Sequence, residues 1–254
     1  MSYTIIIILI TAIIVGGIAA SAVQQHKERK EAQKREEINK HKQVFDETEV
    51  AVSAALQMPV SQALIAILRK RALLALKGMY TQSPSTELKK KMKELSTALD
   101  ELNLDAPAPE LSSFTLPSTD KVIIKYIQAV KKLRQILRIE TTKGNVSADI
   151  HAREDKVLEC LQLRINVETL HKRGNDSVTA GMQGSARQYF EKAIAALKNH
   201  APQDEYTQNR AAELSKMIMQ LESTVKDNNM QNILAKKNKD SEEIDNLFAP
   251  KKKW

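Results

Sequence analysis

Residues 3–23 read YTIIIILITAIIVGGIAASAV, a run of 21 positions without a charged side chain. No other feature restricts the fold as strongly. A hydrocarbon layer of roughly 30 Å is crossed by about 20 helical residues, so the run is long enough to span it. Ile-rich stretches favour strands in water. In lipid, a lone strand leaves its backbone polar groups unpaired, and a helix satisfies them within the segment. A transmembrane anchor is therefore expected at residues 1–23. Gly16 and Gly17, with Ala12, Ala19 and Ala20, offer small faces for helix packing in the membrane. A cleaved signal peptide is the competing reading. It wants a basic segment ahead of an apolar core of about 7–15 residues, whereas here MSYT precedes a longer run.

Flanking charge sets the expected orientation. Residues 24–42 read QQHKERKEAQKREEINKHK, with Lys27, Arg29, Lys30, Lys34 and Arg35 nearest the apolar run. These five are candidate membrane-surface residues. The positive-inside rule places the N-terminus outside and the rest of the chain in the cytoplasm, in the manner of a bacterial inner-membrane protein. The segment also carries Glu28, Glu31, Glu36 and Glu37 and has no Gly or Pro. Opposite charges such as Glu31 and Arg35 at i,i+4 support a helix, so a basic helical stalk is expected over 24–56.

The rest of the chain reads as all-α. Only 7 Gly and 7 Pro occur in 254 residues, too few for the many tight turns of a β-sandwich or barrel. The expected architecture is an N-terminal transmembrane helix running into the stalk, then a cytoplasmic bundle of antiparallel helical hairpins. Pro59 ends the stalk. Val60 to Met79 then forms a strongly apolar helix, interrupted by Arg69, Lys70 and Arg71, with Gly78 as a candidate C-cap. Ser83 to Glu87 resembles a helix start. Leu88, Met92, Leu95, Leu99 and Leu102 follow at spacings of 4, 3, 4 and 3, a narrow seam that suits packing within the chain or self-association. This first hairpin covers 57–103. Residues 104–120 are a Pro-rich connection in which Leu111, Phe114 and Leu116 are apolar enough to pack. A second helical subdomain covers 121–227. The tail, 228–254, is polar and charged, and disorder is expected for most of it. Within it Ile244, Leu247, Phe248 and Trp254 form a short apolar motif, a candidate partner-binding tail.

Leu170, Gly174, Ala186, Phe190 and Ala193 fall at the spacings of a tetratricopeptide repeat, and residues 167–200 resemble one such helical hairpin in degenerate form. A small residue on each helix lets the two approach, and Phe190 fills the remaining gap. Arg173, Ser177 and Asn199 depart from the family pattern. A fainter similarity relates 75–95 to 195–221, each running Ala-Leu-Lys, a proline turn, then Glu-Leu-x-Lys. The layout as a whole is similar to that of single-pass proteins of Gram-negative bacteria without an assigned activity.

No phosphate-cradling glycine loop, nucleophile elbow or HExxH helix occurs in the sequence. His26, His41, His151, His171 and His200 are scattered, so no metal site is expected. The single Cys160 excludes a disulfide framework and reads as a small core residue. Glu154, Asp155 and Glu159 read as a solvated helix face. The net charge of +8 favours acidic partners, and Lys131, Lys132, Arg134 and Arg138 give one helix a basic face. Aromatics are only 4% of the chain, which leaves little for base stacking, and nucleic acid is the secondary expectation. The sequence thus points to a non-enzymatic, membrane-anchored scaffold without a cofactor, with an enzyme of unrecognised type as the last alternative. Its expected partners are lipid through 3–23 and other proteins.

Overall fold

A computed structural model describes the backbone of residues 2–248 apart from 104, 105, 107–109, 112 and 113. The side chains of 2–20, 22, 23, 227–229, 232 and 235–248 lie outside the described residues. The described residues form seven α-helices and no strand: α1 Ser2–Ala55, α2 Gln62–Gln82, α3 Thr86–Asp100, α4 Asp120–Thr142, α5 Ala148–Thr179, α6 Gln183–Lys198 and α7 Glu205–Phe248. Among the described residues no helix is long and apolar enough to cross a membrane. The span expected at 3–23 falls on side chains that, Ser21 apart, lie outside that description.

The chain divides into two compact units. The first comprises Met1–Phe114 and Ala129–Leu158, the second Thr115–Gln128 and Glu159–Trp254.

In the first unit α1 and α3 each pack on α2. α1 closes at Ala55 ahead of Pro59, and Ser61 caps α2, its hydroxyl accepting from the Leu64 N–H at 3.0 Å. The buried positions Leu64, Leu68, Ala72, Ala75, Leu76 and Met79 recur at helical spacing. Burying each large apolar side chain contributes about 1.5–3 kcal/mol. Residues 24–36 are exposed, but Thr48, Ala51 and Ala55 are buried, so the last turns of α1 belong to the folded unit. Gly78 is not a cap. The helix runs on to Gln82, and a Cβ at Gly78 would lie 2.6 Å from His41 Nδ1, so the glycine admits the α1 imidazole. Ser85 caps α3 through the Leu88 N–H at 3.2 Å. α3 buries no residue fully. Leu88, Met92, Leu95, Leu99 and Leu102 are all half-buried, one thin seam on α2.

In the second unit α5, α6 and α7 share a core of Val167, Ala186, Phe190, Ala193, Leu197 and Leu214. α5 turns into α6 at Gly181, whose φ of +73° suits a residue without a Cβ, and the Met182 N–H donates to the Ser177 carbonyl at 2.8 Å. α7 corrects an expectation. Residues 228–248, expected to be disordered, continue the helix. The stretch has no Gly or Pro to stop it.

Candidate functional site

The candidate residues of α1 are placed by helix geometry. Lys27, Arg29, Lys30, Lys34 and Arg35 are all exposed. At about 100° per residue they distribute around the whole helix. Arg35 pairs with Glu31 at 3.7 Å, and further along Lys40 pairs with Glu36 at 2.9 Å and Glu37 at 3.1 Å.

The five hairpin residues come together. Ala186, Phe190 and Ala193 are buried on α6, and Leu170 packs against the same core from α5. Gly174 lies inside α5, under the Phe190 ring. A Cβ there would stand 2.7 Å from Phe190 Cδ1, with Cε1 nearer still. The glycine is therefore a close-approach position within a continuous helix.

Of the tail motif, Ile244, Leu247 and Phe248 stand on α7, but their side chains lie outside the described residues, as does the whole of Trp254.

An open groove in the first unit has no counterpart in the sequence expectations. Phe45, Glu49 and Val52 of α1 form one wall, Lys91, Glu94, Leu95 and Ala98 of α3 the other, with Arg69 and Leu76 of α2 between them. Its volume is about 460 Å³. Its lining mixes apolar Phe45, Val52, Leu76, Leu95 and Ala98 with charged Glu49, Arg69, Lys91 and Glu94. The Arg69 guanidinium donates to the Ala98 carbonyl and fixes the end of α3.

Two polar networks also escaped the sequence reading. In the first unit Arg71 is buried. It donates to Glu140 at 2.9 Å, to Thr48 at 3.1 Å and to Glu47 at 3.2 Å. Burial raises the Glu140 pKa, but hydrogen bonds from Asn145 and Lys143 and the Arg71 charge outweigh it, so the carboxyl stays below its usual range. Glu154, expected in solvent, is buried and accepts from the Ser61 hydroxyl. Asp155 takes both arms of Arg134, at 2.7 and 2.9 Å, and that pair holds its pKa down. Lys132 pairs with Glu47. Two of the four cations of the expected basic face are thus engaged within the unit.

In the second unit Arg210 donates to Glu168 at 2.5 Å and to His171 Nδ1 at 2.8 Å, while the Tyr206 hydroxyl donates to Glu168 at 3.0 Å. The Arg164 guanidinium lies 3.9 Å over the Tyr206 ring. Burial, then the Arg210 charge, lowers the His171 pKa, and Glu168 and Glu213 oppose only part of that. Burial, with Glu168 beside it, raises that of the Tyr206 phenol. A shallow depression of about 350 Å³ adjoins, lined by Ser118, Glu168, His171 and Lys172 among others. Cys160, expected in the core, is half-buried, with Sγ 3.8 Å from His200 Nε2. Among the described residues no group of three His, Cys, Asp or Glu could hold a metal ion.

The signal for the first network was present in the sequence. Leu64, Leu68, Arg71 and Ala75 share one stripe, as do Leu133, Leu137 and Glu140, so each stripe carries one buried charge of opposite sign. The groove left no such signal, because its walls come from three helices. Comparison with protein-family models, with curated proteins and with solved structures gives no match.

Proposed function

We propose that the chain is a membrane-tethered helical adaptor that binds protein partners and does no chemistry of its own. The observation that carries this reading is the open groove between α1 and α3 over α2, lined by five apolar and four charged side chains. A groove of that form suits the apolar face of a partner helix. The tether reading rests on the uncharged run at 3–23, which continues in one helix into a packed unit. Cations distributed all round the helix suit one that emerges from a membrane. A helix lying flat on the surface would carry them on one side. In this reading the N-terminus is outside, the two units are cytoplasmic, and the α5–α6 hairpin, with Phe190 closed over Gly174, serves as a tetratricopeptide-like unit.

Two measurements test it. Alkaline extraction of membranes should leave the full chain in the pellet, and Ile8→Lys with Ile13→Lys should release it. Recovery of the unaltered chain in the supernatant would overturn the tether. A photo-crosslinking residue in place of Leu95 should trap a discrete protein, and Val52→Glu in the groove should abolish the product. Labelling that is unaffected by Val52→Glu would overturn the adaptor.

A further inference from the structure

Beyond the hairpin core α7 carries a second apolar stripe. Its inward residues Leu214, Met217, Ile218 and Leu221 pack towards α6. Met219, Met230, Ile233 and Leu234 lie on nearly the opposite side, at about 100° per residue. Met230 and Ile233 are 62% and 66% exposed, far more than large apolar side chains on a finished surface need be. With Met230 as an a position of a heptad, Ile233 takes d, Lys237 a, Asp240 d, Ile244 a and Leu247 d in the sequence. The helical backbone runs unbroken through all of them.

The charges within this stripe say what covers it. In a parallel pair of such helices, a faces a and d faces d. Lys237 would then meet the partner's Lys237, and Asp240 the partner's Asp240. In an antiparallel pair, a faces d. The layers become Met230 with Leu247, Ile233 with Ile244 and Lys237 with Asp240, each occurring twice by symmetry. The flanking Lys236 and Glu243 oppose one another in the same register. Every charge in the seam thus finds its opposite in one orientation and its like in the other.

We propose that residues 230–248 of α7 are a self-association element, pairing antiparallel with the same segment of a second copy of the chain. The proposal stands on the register and charge of α7 and does not depend on the adaptor reading.

The test uses the full chain in detergent micelles, with Cys160→Ser as background. Chains carrying Ile233→Cys, mixed with chains carrying Ile244→Cys, should form the mixed disulfide on mild oxidation, while neither variant alone should dimerise covalently. Self-linked Ile233→Cys chains would signify parallel pairing and overturn the proposal. By sedimentation, Lys237→Asp should weaken the dimer by at least about tenfold, and Lys237→Asp with Asp240→Lys should restore it. Restoration excludes a folding defect as the cause. A chain that stays monomeric at all micromolar concentrations would overturn the proposal, as would a dimer indifferent to Lys237→Asp.

Discussion

At position 71 a guanidinium occupies a face that the helix repeat assigns to apolar side chains. Its cost in lost hydration is met by three partners at 2.9–3.2 Å. Arg71→Met should therefore destabilise the chain by about 3 kcal/mol in urea unfolding, because Glu140 loses its buried cation and keeps only the more exposed Lys143. Adding Glu140→Leu should recover most of that loss. Gly174 is a contest of smaller terms. Alanine there gains about 1 kcal/mol of helix propensity, but its methyl overlaps Phe190, and overpacking costs about 1–3 kcal/mol. Gly174→Ala should lower the melting temperature, and Phe190→Leu in the same chain should relieve the overlap. His171 supplies a pH dependence. Its pKa is lowered in the fold, so the unfolded chain takes up a proton that the native site resists. The stabilisation is complete above the unfolded value of about 6.5 and falls as pH drops below it. The loss of melting temperature between about pH 7.5 and 5.5 should be smaller in His171→Asn.

Among the elements, α3 is held least. It buries no side chain fully and meets α2 along a half-buried seam, whereas α2 is buried on a broad face. Local opening follows buried apolar contact, so α3 amides should exchange with solvent well before those of α2 in native-state hydrogen exchange. Equal protection across both helices would refute this ranking. α3 is also one wall of the groove. α1 differs along its length: exposed and charged over residues 24–36, buried at Thr48, Ala51 and Ala55. One uninterrupted helix thus serves as both solvated rod and structural wall, because nothing in residues 24–55 breaks it.

For the whole molecule, the asymmetry of charge about the apolar run sets the expected orientation. Within the anchor reading, replacing Lys27, Arg29, Lys30, Lys34 and Arg35 by Gln should give chains of mixed orientation, scored by protease protection of a C-terminal epitope in sealed vesicles. A uniform orientation after that change would assign topology to the folded units. Antiparallel pairing through α7 would add a second level of organisation, in which the charges at 237 and 240 select orientation and the apolar layers supply contact area.

The amino-acid sequence by itself determined the all-α class, through apolar spacing, scarce Gly and Pro and the helix-start signal at Ser83 to Glu87. It also marked Gly174 and Phe190 as partners, because a hairpin brings near neighbours in sequence together. Tertiary structure alone decided which partner meets each buried charge. Arg71 and Glu140 are 69 residues apart, and Ser61 and Glu154 are 93 apart. A local pattern shows an interrupted stripe but not the partner that neutralises it. For the same reason Gly78 resembled a cap until His41 of another helix lay against it. Glu154 likewise resembled a solvent residue until the Ser61 hydroxyl met it. Periodicity is a property of one helix, whereas burial of a charge depends on the surfaces that several helices bring together.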